Sequence, residues 1–263
     1  MKAAPASTIG YFSERAAAPA LADSFACVWV HQMPAAGAPP VIVAPDGTID
    51  LQWIDGAFRI AGPDKEPQTE IIPAGSAVIG FRFCPGVAAA WLRTSASEIL
   101  GQRVPLDDLW GAKARRLAKS VRDEENIADR IISLESVLAR CGPEHPPTDK
   151  VMAAAFTLIE QGPPEGAPLV PWLARALAMS ERTLRRRFDE SFGYGPKTLD
   201  RILRYQRFRK LQQHNAGTST AALAAEAGYS DQAHLVRESR RLTGATPLAL
   251  ERSLSHSSQI DFA

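Results

Sequence analysis

The sequence predicts an α+β chain of two domains. Residues 1–144 form a β-rich N-terminal sandwich or barrel that ends in helices. Residues 145–263 form an all-α domain of two helix-turn-helix units joined by a linker helix. Three observations predict this. Short β-branched and aromatic runs, separated by turn residues, fill residues 24–83. From Pro85 the apolar spacing becomes that of amphipathic helices. Beyond a Gly/Pro-rich break, "CGPEHPPTD" at Cys141–Asp149, one helical pattern occurs twice. A chain of 263 residues is long enough to bury two cores.

The predicted strands lie in "SFACVWVHQM", "PVIVAPDGTIDLQW", "AFRIAGP", "TEIIPAG" and "AVIGFRF", punctuated by "PDG", "DG", "GP" and "PAG". The helices that follow lie in "GVAAAWLRTSASEIL", "PLDDLWGAKARRLAKSV" and "NIADRIISLESVLARC". In the last, Ile127, Ile131, Leu134 and Leu138 form a short a/d seam. Two uses stand open for it: docking within its own domain, or a homodimer contact through residues 122–141.

Composition excludes several classes. Hydrophobic residues make up 45% and charged residues 22%, as in ordinary globular protein. No apolar run approaches the length of a membrane helix, and the Ala/Pro-rich start has no signal-peptide core, so a cytoplasmic protein is expected. Cys27, Cys84 and Cys141 are widely spaced with no C-x-x-C, so no metal site, cofactor or disulfide framework is expected. The net charge is +1, but 11 basic residues face 4 acidic ones between Arg175 and Lys210. Such a basic stretch in a near-neutral chain is the footprint of a nucleic-acid-binding module.

The repeat sets Leu173–Leu199 against Leu223–Leu250. Leu173, Ala174 and Ser180 match Leu223, Ala224 and Ser230 at an offset of 50. Leu184, Arg186, Gly193 and Pro196 match Leu235, Arg237, Gly244 and Pro247 at 51. Each copy reads as helix, tight turn, helix. Gly228 suits a left-handed helix end, and Ala178 holds that position in the first copy at some conformational cost. Ser180 and Ser230 are the expected helix caps, with Glu181 complementing the first helix N-terminus.

At 100° per residue, Leu184 and Phe188 share the buried face of the first reading helix. Arg182, Arg185 and Arg186 point away from it, and Arg187 falls on the flank. Arginines so presented suit the major groove, where each bidentate pair with guanine gives ~1–3 kcal/mol of discrimination; phosphate contact is their other role. The matching positions in the second helix are Ala233, Val236 and Arg237, flanked by Gln232 and His234. Asymmetric reading is expected, with Gln232 and Arg237 as donors, Ala233 and Val236 offering only apolar contact, and His234 a rim residue. Between the units, "PKTLDRILRYQRFRKLQQHN" predicts a helix of ~18 residues, or ~27 Å. That approaches the ~34 Å between successive major-groove faces.

These residues, "LARALAMSERTLRRRF…GYGPKTLDRILRYQRFRKL…LAAEAGYSDQAHLVRESRRLTGATP", closely resemble the DNA-binding domain of AraC-type transcriptional regulators over roughly Lys150–Ser253. The resemblance implies seven helices, two helix-turn-helix units, double-stranded promoter DNA as partner, activation or repression of transcription, and RNA polymerase as a further partner. Ser239 departs from the pattern, which usually has a core phenylalanine there. The segments "PDGTIDLQW", "GFRFCPG" and "VPLDDLWG" are similar to a poorly characterised domain that precedes such units in bacterial regulators. That implies sensing or dimerisation.

Trp29, His31, Asp50, Trp53, Arg82 and Trp91 are the candidates for a small-molecule effector pocket, with Asp46 beside them. Several have an ordinary alternative. The tryptophans suit a core, Asp46 suits a turn, and Arg82 suits an exposed strand face. Catalysis is the rival class, but no H-E-x-x-H, G-x-S-x-G or P-loop is present, and nothing fixes His31 against Cys84. A constitutive DNA-binding protein whose N-terminal domain only dimerises is the third reading.

Overall fold

The computed structural model describes residues 4–6, 9–121, 124, 126–141, 149–215 and 217–251. Nine strands come first: β1 Ala4–Pro5, β2 Tyr11–Ala16, β3 Phe25–Gln32, β4 Val41–Val43, β5 Asp50–Ile54, β6 Ala57–Ala61, β7 Gln68–Glu70, β8 Ala77–Phe83 and β9 Arg103–Pro105. Around and after β9 come α1 Ala88–Leu92, α2 Leu106–Trp110, α3 Ala112–Lys119 and α4 Ile127–Cys141. The second half is helical: α5 Lys150–Gln161, α6 Leu169–Ala176, α7 Glu181–Phe192, α8 Pro196–His214, α9 Thr220–Glu226 and α10 Gln232–Thr243, followed by helical residues 247–251. The fold is the expected α+β one. The expected boundary at 144/145 lies outside the described residues.

Three local expectations are corrected. β1 and β2 precede the first predicted strand, and β9 interrupts the predicted helices. The single helix expected over 105–121 is two, because Gly111 takes φ 52, ψ −129, a conformation reserved to glycine, and turns the chain between α2 and α3.

Six strands form an antiparallel sheet in the order β2-β3-β8-β5-β6-β9, and three form a second sheet, β1-β4-β7. Side chains alternate across a strand, so each of the larger sheet's strands sends one set to each face. On one face Val28, Val30, Leu51, Phe58, Ile60 and Phe81 pack against the helices. On the other lie Trp29, His31, Asp50, Gln52, Arg59 and Arg82, roofed by the small sheet.

The α4 seam is used within the chain. Ile131, Leu134 and Leu138 are buried in the first core, and Ile127 packs on it. A homodimer through this seam would have to expose them, so the seam does not supply the dimer contact considered for residues 122–141. Glu135, on the same helix, receives Arg15 of β2 at 2.8 Å and the Ala18 amide at 3.0 Å. That pins the edge strand to the helix layer.

The helical half has its own core around Leu173, Leu184, Phe188, Ile202, Phe208 and Leu235. Ser239 is fully buried where a phenylalanine is usual. Its hydroxyl donates to the Ala245 carbonyl at 2.8 Å and meets the Tyr205 hydroxyl at 3.3 Å. The linker helix thus fills the space from the other side, and the buried polar group is satisfied. No helix among the described residues is long and apolar enough to cross a membrane.

Candidate nucleic-acid interface and ligand cavity

The first unit is built as the residue pattern dictates. Ala178 takes φ 51 in the turn after α6. Ser180 then caps α7, accepting the Thr183 amide at 3.1 Å. Leu184 and Phe188 are fully buried, which turns Arg182, Arg185 and Arg186 to solvent. Arg185 and Arg186 make i,i+4 pairs with Glu181 and Glu190 at 3.0 and 2.7 Å. Such exposed pairs are worth only ~0.3–0.5 kcal/mol, so both guanidiniums are readily exchanged to another anion. Arg182 pairs with no acidic residue among those described. Arg187 is different: it grips both carboxylate oxygens of Asp149, the residue that caps α5. It holds α7 to the start of the domain and faces away from the outer surface.

In the second unit Gly228 takes φ 91 and ends the turn as expected. The cap of α10 is Asp231, not Ser230. Its carboxylate accepts the His234 amide at 2.6 Å, and that bond holds its pKa below the usual range. Ser230 instead meets Asp231 Oδ2 and His234 Nδ1. The reason is the inserted residue. It falls before the cap, so the 51-residue offset already applies at Ser180, whose counterpart is Asp231. Gln232, Ala233 and Arg237 are exposed and Val236 is half-buried. His234 stacks edge-on to Tyr229, 5.2 Å between centroids, and lies at the rim. Arg240 is exposed too. It lies seven residues after Ala233, two helical turns on, and so shares the outer face. The sequence reading missed it, although its spacing is legible.

Of the pocket candidates, Trp29, His31, Asp50 and Arg82 line one cavity of about 390 Å³ between the two sheets. Trp53 and Trp91 do not. Trp53 is one residue out of phase with Asp50 and Gln52 and packs on Phe58 in the core. Trp91, on α1, packs against Phe25, Phe83 and Trp110. The cavity also holds Asp46, Gln52, Arg59, Asp64, Glu70 and Arg103. Of these, Gln52 and Arg59 were not foreseen, although strand alternation with Asp50 and Ala61 could have found them. Asp64, Glu70 and Arg103 come from separate segments with no common period.

Charge organises the cavity at two ends. At one, Arg82 faces Asp46 at 3.0 Å, Asp50 at 3.5 Å and Glu14 at 3.8 Å. Burial raises the Asp50 carboxyl to about 6, with Arg82 pulling against it and Asp46 adding to it. The second Asp50 oxygen accepts the Trp29 indole N–H at 3.1 Å. At the other end, Arg103 joins Asp64 and Glu70 at 2.9 and 2.7 Å, and Arg59 joins Glu70 at 2.5 Å. Burial raises the Asp64 pKa; it also works against the Glu70 carboxylate, but Arg59 and Arg103 outweigh it there and the pKa falls.

Two turns join this cavity to the helical domain. Asp46 holds Arg82 in the cavity while accepting the Thr48 amide and hydroxyl within its own turn. Its neighbours face the other way. The Pro45 carbonyl accepts Gln206 Nε2 of α8 at 2.7 Å, and Gly47 lies on Leu199 and Leu203 so closely that a Cβ would sit 3.1 and 3.2 Å from their methyls. Likewise Asp64 holds Arg103, while Pro63 lies under Gly193, the C-cap of α7. The Asp46 turn also borders a larger cleft of about 590 Å³ between the domains.

Residues 173–253 match the family described as a helix-turn-helix domain, and residues 13–105 match a domain of unknown function, DUF6597. No curated protein sequence matches the chain. Among solved structures, the chain is similar to ToxT from Vibrio cholerae, at 11% identity and TM-score 0.48, over 93% of this chain and 98% of that one. Unsaturated fatty acid bound wild-type ToxT from Vibrio cholerae strain SCE256 is matched at 10% identity and TM-score 0.44, over 90% and 93%. The AraC-like transcriptional activator CuxR is matched at 16% identity and TM-score 0.24, over 78% and 87%. The two capped helices, the linker helix between them and the family match over 173–253 together identify the C-terminal part of the chain as an AraC-type helix-turn-helix domain, behind a β-rich domain of unassigned function.

Proposed function

We propose that the protein reads promoter DNA with α7 and α10 in successive major grooves, and that a small molecule in the inter-sheet cavity modulates this reading. The observation that carries the modulation is the Pro45–Thr48 turn. One of its side chains, Asp46, is held inside the cavity, and its backbone is held on α8, the helix that spaces the two reading helices. A ligand that prefers one position of that turn shifts the DNA-binding equilibrium by its differential affinity for the two positions. For the DNA contacts, α7 supplies Arg182, Arg185 and Arg186; α10 supplies Gln232 and Arg237 as donors, with Ala233 and Val236 in apolar contact. At ~1.5 Å per residue, the 19-residue α8 gives the spacing of about one groove repeat.

Fluorescence anisotropy on duplex DNA from upstream of the protein's own gene tests the reading, with and without excess random duplex. The double variant Arg182→Ala/Arg186→Ala is expected to lose ten- to a hundredfold in specific affinity, the range of one bidentate guanine pair, ~1–3 kcal/mol. Binding to random duplex should change far less, since base contacts specify and phosphate contacts only position. Equal affinity of wild type for promoter and random duplex, or a double variant as tight as wild type, would refute it.

A further inference from the structure

We propose that the inter-sheet cavity takes a small organic cation, an amine whose ammonium pairs with Asp50 and Asp46 while its apolar body lies against Trp29 and Phe12. This rests on the ligand-modulated reading above and names the chemistry of that ligand.

Three features point the same way. The first is charge balance. Two cavity carboxylates, Asp46 and Asp50, face the single guanidinium of Arg82, with the exposed Glu14 beyond it, whereas at the far end Arg59 and Arg103 are matched by Asp64 and Glu70. The surplus of negative charge therefore sits at the Arg82 end. The second is an unmet acceptor. Asp50 is only 9% exposed, and its Oδ1 has no hydrogen-bond partner among the described residues. Its nearest cation, Arg82 Nε, lies 3.5 Å away and is itself without a hydrogen bond. The indole N–H of Trp29 holds the other oxygen, so the carboxylate is oriented with one acceptor to spare. A buried acceptor of this kind costs stability until a donor reaches it. The third is the aromatic wall. Phe12 and Trp29 both line the cavity, with ring centroids 6.0 Å apart and planes 30° apart. Aromatic faces beside carboxylates are the surroundings that favour a desolvated ammonium.

An anion fits worse. Each cavity arginine already faces a carboxylate at 2.5 to 3.0 Å, so an anionic ligand would have to displace a buried acid and leave it unpaired. A cation meets the surplus instead. It competes with Arg82 for Asp46, and Asp46 belongs to the turn seated on α8. The volume, about 390 Å³, lies in the range of small-molecule sites.

The test uses the full chain and three probes that share a benzyl body: benzylamine, benzyl alcohol and phenylacetate. Titration calorimetry is expected to show benzylamine binding about tenfold or more tighter than either of the others, the equivalent of one modest buried ion pair. Asp50→Asn and Asp46→Asn should each erase that preference. Unchanged far-UV circular dichroism and a single cooperative urea melt would show that the variants are folded. Phenylacetate or benzyl alcohol binding as tightly as the amine, no probe binding, or folded variants that keep the amine preference would each overturn the proposal. DNA affinity measured with each probe separates the two readings. Amine binding that leaves DNA affinity unchanged keeps the cation site and refutes ligand modulation. Phenylacetate binding that alters DNA affinity keeps modulation and refutes the cation.

Discussion

Gly80 of β8 lies directly opposite Trp29 of β3, and the indole occupies the space of the missing side chain: a Cβ on Gly80 would stand 2.1 Å from Trp29 Cε2. The tryptophan lies down across the sheet only because its neighbour is glycine. That posture brings its N–H to Asp50 and makes it a wall of the cavity.

Gly80→Ala is therefore expected to lift the indole off the sheet and break the Trp29–Asp50 hydrogen bond. Overpacking of this kind costs ~1–3 kcal/mol. A lowered denaturant midpoint and an altered near-UV circular dichroism spectrum check it. An unchanged midpoint would mean that the sheet yields without strain.

Asp50 makes stability depend on pH in a stated direction. Its pKa rises from 3.8 to about 6 on folding, chiefly through burial, with Arg82, Asp46 and Cys27 as the charged and titratable groups that act on it and Glu14 beyond Arg82. A raised carboxyl pKa means that the folded state holds the proton more tightly. The contribution is fully present below the unfolded pKa and is lost as pH rises through the folded one. Between pH ~4 and ~6.5 wild type should lose up to about 3 kcal/mol relative to Asp50→Asn, at ~1.4 kcal/mol per unit. Urea melts of both proteins across that range measure it, and parallel profiles would refute it.

The caps of the two units differ in kind, and their removal separates them. Asp231→Ala takes away the acceptor of the His234 amide, so it should lower the melting temperature more than Ser230→Ala does. Because the Asp231 pKa is lowered, that contribution is present at neutral pH and fades as pH falls into the acid range. Equal melting of the two variants would return the cap to Ser230.

Much of the outer face proposed to read DNA was legible because it is local. The faces of α7 and α10 follow from a 3.6-residue period, and Ser180 caps at the position where the pattern starts. The misassigned cap has a local cause as well: a single inserted residue could be placed on either side of position 230, and only the hydrogen bond from the His234 amide decides. The inter-sheet cavity was half legible. Strand alternation put Trp29, His31, Asp50 and Arg82 on one side, but Trp53 breaks phase with Asp50 and belongs to the core. Asp64, Glu70 and Arg103 come from a loop, a three-residue strand and a sheet edge, which share no period.

By itself the sequence determined the repeat, the two capped helices of its units, their outward arginines and the two-faced strands, since all of these rest on periods of two and 3.6 residues within one segment. Only the tertiary structure decided which sheet face would be helix-covered and which roofed over a cavity, that the α4 seam would close on its own core, and that the Pro45–Thr48 turn would hold Arg82 with one residue and α8 with its neighbours. Those outcomes depend on contacts between residues far apart in the chain. Burial and charge pairing select such contacts in three dimensions, and no local spacing encodes them.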